Sequence, residues 1–268
     1  MKPRMPVIFV SHGAPDALLK AADTVSAWRE IGRRIPEPKA ILVVSAHWES
    51  SVPTVSLAAS PETIHDFSGF APALYQMHYP APGAPALAER TLSLLSAGGI
   101  AANRHSDRGL DHGAWVPLSV MFAQAQVPVT QLSLTQHGAA AHFELGRALV
   151  PLRDEGVLII ASGAITHNFG WLDWRASNTS PPQAKALAFA DWVSEQLAAS
   201  NTPALMNYRT APYGAEAHPT EDHLLPLFVA LGAAGDEAPE HYRPAFAYGG
   251  LAMDAYVWGL RKKTAAAP

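Results

Sequence analysis

Histidines stand just past the ends of apolar runs in three places. His12 follows Val7-Ile-Phe-Val-Ser11, His47 follows Ile41-Leu-Val-Val-Ser-Ala46, and His167 comes shortly after Val157-Leu-Ile-Ile-Ala-Ser-Gly163. Neutral imidazoles gathered at one place bind Zn²⁺, Fe²⁺ or Mn²⁺. The chain has no cysteine, so a metal here takes nitrogen and oxygen ligands, and disulfides and thiolate nucleophiles are excluded. A third ligand is expected from Glu221-Asp-His223. Acids opening a helix favour its dipole, whereas a charged imidazole opposes it, so His223 is better explained by metal ligation than by local stability. His112, between Asp111 and Gly113, suits either a metal ligand or a general acid–base. His137, His142 and His241 have no supporting pattern and read as ordinary structural residues, while His218 stays unassigned beside the better candidate.

These side chains need a frame. Apolar runs without polar alternation read as strands of a parallel sheet buried on both faces. Ligands of open α/β sheets bind at the carboxyl ends of such strands. Strands are expected at 6–10, 40–46, 52–58, 100–104, 127–134 and 157–162, with one or two closing strands in 244–260. Helices are expected from Asp16 as N-cap to about Arg34, then over 84–97, 115–123, 139–153, 183–199 and about 220–231. Residues 200–217 read as loop. So does 60–84, a Pro- and aromatic-rich stretch holding His65, Asp66, Phe67 and Tyr79; loops of that length inside compact domains usually serve function.

Composition narrows the classes further. No repeat, linker or compositional break divides the 268 residues, which read as one domain over 1–268. With 19 basic and 23 acidic residues, net −4, there is no footprint for nucleic acid. The Arg261-Lys-Lys263 cluster reads as a solvated end. No apolar run approaches the roughly 18 residues of a membrane span. No apolar targeting core follows Met1, so a cytoplasmic protein is expected. A Gly-x-Ser-x-Gly elbow, a dinucleotide fingerprint and a Walker loop are all missing.

Seven motifs then occur in order. They are Ser11-His-Gly-Ala-Pro15, Ser45-Ala-His-Trp48, Ile64-His-Asp-Phe-x-Gly-Phe70 and Tyr75-x-x-His-Tyr-Pro-Ala-Pro-Gly83, followed by Gly109-Leu-Asp-His-Gly-Ala-Trp115, Ala161-Ser-Gly-x-x-x-His-Asn168 and Glu221-x-His-x-x-Pro-Leu227. Together they resemble the DOPA-dioxygenase group of the class III extradiol ring-cleavage dioxygenases, the LigB-like superfamily, from about residue 6 to 258. The resemblance implies a single α/β domain with a central mixed, largely parallel sheet flanked by helices, and one mononuclear non-haem metal. It implies that His12, His47 and His223 hold the metal, with His167 as a further ligand or close neighbour, and that His112 is the acid–base. Glu221 stays a rival to His223, because other branches use two histidines and a glutamate. His65, Asp66, Tyr79 and Asn168 are expected to meet the substrate. The implied reaction opens a catechol ring, L-DOPA-like or related, with O₂ and Fe²⁺ to give a muconic semialdehyde. Zn²⁺ is an expected occupant of the site as purified; a zinc-dependent hydrolase or lyase on the same histidines and a non-catalytic metal-binding relative are the competing readings. Nothing in the sequence indicates an oligomeric state.

Overall fold

The computed structural model describes residues 4–177 and 180–260; the Arg261-Lys-Lys263 cluster lies outside the described residues, as do Met1–Pro3. In chain order the elements begin β1 (Val7–Ser11), α1 (Ala17–Lys20), α2 (Ala22–Arg34), β2 (Ala40–Glu49), β3 (Thr54–Ser56), α3 (Pro85–Ala97), β4 (Asn103–His105), α4 (His112–Met121) and β5 (Val129–Leu134). They continue α5 (Gly138–Asp154), β6 (Val157–Gly163), α6 (Ala184–Ala198), α7 (Thr202–Met206), α8 (Gly214–Ala217), α9 (Leu225–Ala234), β7 (Pro239–Tyr242) and β8 (Ala255–Trp258). One eight-stranded sheet runs β4-β3-β5-β2-β6-β1-β8-β7. Its centre, β5-β2-β6-β1, is parallel, and antiparallel pairings join the flanking strands on both sides.

The central strands are apolar throughout because helices cover both faces. Along β1, Val7 and Phe9 enter one core and Ile8 and Val10 the other; Leu42 and Val44 against Ile41 and Val43 do the same on β2. The first core is completed by α3, α5, α6 and α9, the second by α2 and α4. This single-domain α/β architecture is the one the sequence implies.

Five local differences stand out. The expected helix from Asp16 breaks at Ala21 (φ −104°, ψ 68°) into α1 and α2, and Asp16 makes no side-chain cap. β2 continues past residue 46 to Glu49, with a register shift against β5 between Val44 and Glu49. Such irregularities bend a strand and re-aim its side chains, and His47 lies in that stretch. The late helix starts at Leu225 rather than Thr220, with Pro226 in its first turn, where the missing N–H costs nothing. Glu221, Asp222 and His223 therefore lie in a turn before the helix, so the dipole argument does not apply to them. The region 200–217 contains two short helices, and β7 is a polar edge strand (Pro-Glu-His-Tyr) without the apolar alternation that marks a strand in sequence.

Candidate metal centre and substrate cavity

The carboxyl ends of β1, β2 and β6 meet at one edge of the sheet. His12 follows β1 directly, and its backbone N–H donates to Gly163 O at the end of β6 (3.0 Å). His223 arrives from the turn before α9, whose approach requires glycine at 163: a Cβ there would lie 2.2 Å from His223 O. His12, His47 and His223 each bring a ring nitrogen within 4.8 Å of the others. Their ring centroids are 4.9, 5.0 and 5.4 Å apart.

Contacts at Nδ1 turn the Nε2 atoms inward. The Ser162 hydroxyl donates to Gly113 O, so its oxygen accepts from His12 Nδ1 (2.9 Å), leaving the His12 Nε2 lone pair free. His47 turns Nδ1 toward Asp66 Oδ2 (3.5 Å), and His223 Nδ1 pairs with Asp222. The Nε2 atoms of His12 and His47 then face each other at 3.0 Å. At that distance either one nitrogen donates to the other, or, with both imidazoles presenting lone pairs, a cation lies between them. Nitrogens about 2.0–2.1 Å from one ion sit about 3 Å apart when they bind it near a right angle. The three residues thus fit a divalent metal.

Electrostatics agree with neutral ligands. Burial first, then the neighbouring imidazoles, push His12 well below the ordinary histidine value. Burial and the facing His112 lower His47 to about 4. Burial lowers His223 to about 3, outweighing the opposing pull of Asp222. Burial opposes charge on Asp222, yet the hydrogen bond with His223 holds its carboxyl well below the usual range.

His112 opens α4 beside this group, its ring 3.9 Å from that of His47. Asp66 Oδ1 accepts from both its Nδ1 (2.8 Å) and its backbone N–H (3.1 Å). Burial disfavours the Asp66 charge, but the bonds and charge of His112 bring it down to about 2. The donated Nδ1–H leaves His112 Nε2 as the nitrogen able to take a proton. His167 is not in the His12–His47–His223 group. It stacks flat on His223, centroids 3.4 Å apart and planes 7° off parallel, and its nitrogen groups with Asp222 and His223.

Behind the histidines is a network that sequence reading did not single out. The fully buried Asp111 caps α4 through Ala114 N and accepts from Ser45 Oγ (2.6 Å), Gln131 Nε2 (2.8 Å) and Arg108 Nη2 (3.3 Å). Ser45 Oγ also accepts from His47 N (3.2 Å). A Cβ on Gly113 would fall 2.4 Å from Ser45 Oγ and 3.2 Å from His47 Cδ2, so the residue after His112 must be glycine. The available signal was a serine near the end of each apolar run: Ser11, Ser45 and Ser162.

The imidazoles floor a cavity of about 610 Å³. Asp66 lines it together with Phe67 and Phe70. Three of the expected substrate contacts do not line it. His65 Nε2 bonds Met77 O (2.9 Å) while its ring backs Phe67 and Trp115. Buried Tyr79 donates its hydroxyl to Phe122 O (3.0 Å). Asn168 accepts from Gly170 N and donates to Glu216 O. Each is tied to backbone and shapes the loop carrying it rather than a ligand. Glu221 also turns away, accepting from Tyr208 OH (3.1 Å). His142 is a buried strut, donating to Gly138 O and accepting from Thr135 N, as a structural histidine should.

A family described as "Catalytic LigB subunit of aromatic ring-opening dioxygenase" matches residues 4–258. Two relatives are called "4,5-DOPA dioxygenase extradiol". The one from Beta vulgaris is 43% identical, covering 86% of this chain and 87% of its own. The one from Escherichia coli K12 is 40% identical, covering 88% of each. A dioxygenase of Hapsidospora irregularis is 32% identical over 95% of this chain and 85% of its own. The crystal structure of an uncharacterized Escherichia coli K12 protein superposes with a TM-score of 0.79 at 34% identity, covering 95% of this chain and all of that one. The chain belongs to the LigB family of aromatic ring-opening dioxygenases.

Proposed function

We propose that the protein is an extradiol dioxygenase that opens the ring of a catechol, L-DOPA or a related compound, with O₂ to give a muconic semialdehyde. The observation that carries this is the set of three inward-facing imidazole nitrogens at the cavity floor, with the His112–Asp66 pair beside them. His12, His47 and His223 hold the metal, which we infer to be Fe²⁺. When bound, it supplies the charge that favours the catecholate and the redox chemistry that makes O₂ reactive. Both oxygen atoms end in the product, so no external reductant is needed.

The remaining work falls to side chains. His112 Nε2 takes the proton from a catechol hydroxyl, and Asp66 holds the ring and stabilises the imidazolium through Nδ1–H; the same nitrogen returns the proton as the ring opens. His167, stacked on His223 and facing the cavity, orients the bound diol. Phe67 and Phe70 exclude water and stack the ring, fixing it for reaction.

The test is anaerobic reconstitution with Fe²⁺, then oxygen and a catechol panel that includes L-DOPA. The expected result is one O₂ consumed per catechol with a coloured semialdehyde product. No oxygen uptake across the panel, with ester or amide hydrolysis by a Zn²⁺-loaded form, would overturn the reading in favour of a hydrolase.

A further inference from the structure

At the mouth of the same cavity is a charged group that ring cleavage does not use. Lys20, at the end of α1, is the one lysine or arginine among the described residues lining the wall. Its Nζ lies 2.8 Å from Asp16 Oδ2, and its side chain is 65% exposed where that of Asp16 is 5% exposed. Asp16 also accepts the hydroxyl of Tyr248, whose ring lies 5.7 Å from Lys20 Nζ and packs at a tilt against Trp174, centroids 4.8 Å apart. Tyr248 holds a left-handed backbone (φ 53°), a conformation that costs a non-glycine residue free energy unless its surroundings enforce it. The break at Ala21 sets α1 apart from α2, so Asp16 and Lys20, one turn apart, share the face toward the cavity. Beyond them a second cavity of about 310 Å³ shares Asp16, Lys20 and Tyr248 with the first, giving room for a side chain.

The rest of the mouth is apolar, with Leu19, Phe169 and Trp174 each at least half exposed around it. A cation fixed by a buried carboxylate in such a rim is suited to an anion. From this juxtaposition we infer that Lys20 is a specificity residue that binds a carboxylate on the ring's side chain, with Asp16 and Tyr248 as its positioning residues. Among the catechols of the proposed reaction, Lys20 then favours a carboxylate-tailed ring over an amine-tailed or tail-less one. This rests on the catechol reading above.

The test is anaerobic calorimetric titration of the metal-loaded protein with four probes: L-DOPA, 3-(3,4-dihydroxyphenyl)propanoate, dopamine and 4-methylcatechol. Both carboxylates are expected to bind roughly tenfold tighter than dopamine, the size of a hydrogen bond to a charged group. Lys20→Gln should bring that ratio to about one to two, and Lys20→Glu should invert it in favour of dopamine. Wild-type affinities that do not separate by tail charge, or a ratio unmoved by either substitution, would overturn the inference while leaving ring cleavage intact. Failure of all four catechols to bind would instead reject the catechol reading, and this inference with it.

Discussion

At the scale of single residues, the site separates metal holding from proton handling, and the two have different signatures. His112 Nε2 is free because Nδ1 is committed to Asp66, and its ring lies outside the His12–His47–His223 group. His112→Ala should therefore retain full metal content while kcat falls by roughly 10²- to 10⁴-fold, the range for loss of an acid–base. Elemental analysis beside steady-state rates checks this, and loss of the metal would move His112 into the ligand set. The third ligand has its own test. His223→Ala should abolish stoichiometric metal binding, since two imidazoles remain, whereas Glu221→Gln should bind metal as the parent does, because Glu221 faces Tyr208. Metal retained by the first variant and lost by the second would reverse the assignment.

At the scale of elements, positioning depends on how each strand or helix ends. Asp111 ties the start of α4 to β2 through Ser45 and to β5 through Gln131. Asp111→Ala would remove the helix cap and leave the buried donors on Ser45 and Gln131 without their acceptor, while Arg108 keeps its bond to His47 O. A loss of about 3 kcal/mol is expected, which for a chain of this size lowers Tm by roughly 10 °C. Calorimetry on the metal-free protein separates that loss from loss of metal. This same level explains what the sequence discloses. His12 and His47 were legible because a doubly buried parallel strand has a recognisable apolar run, and the chain emerges from it at the ligand edge. The Asp111–Ser45 and Ser162–Gly113 contacts were not, because they join residues 49 to 66 positions apart. His65, Tyr79 and Asn168 fall in motifs of the resemblance, yet their polar atoms hold up loops. A motif marks constraint without saying whether the constraint is contact with substrate or support of what contacts it.

At the scale of the whole molecule, building a site from buried imidazoles has a consequence for stability. His12, His47, His223 and His218 are all neutral in the fold. The last is lowered to about 4, chiefly by burial, while its Nε2 donates to Ile165 O (2.8 Å) and Nδ1 finds no partner. In the unfolded chain each returns to a value near 6.5. Between about pH 6.5 and pH 4 the unfolded state therefore binds more protons, and unfolding free energy falls as pH falls. Each such histidine contributes about 1.4 kcal/mol per pH unit in that window. Asp66, lowered to about 2, acts in the same direction only below the ordinary aspartate range. Against a typical domain stability of about 5–15 kcal/mol, four of these histidines are enough to unfold the metal-free protein in mild acid, near pH 5. Denaturant titrations at half-unit steps from pH 7.5 to 4.5 should show at least three to four protons taken up on unfolding at about pH 5.5, since burial lowers His142 and His167 as well. His218→Gln should reduce that uptake by one, whatever it does to stability at neutral pH. Saturating metal, which binds the folded site alone, should move the whole transition to lower pH. A metal-free stability that stays level from pH 7.5 to 5 would mean that the imidazoles are charged in the fold, and the neutral ligand set inferred here would be wrong.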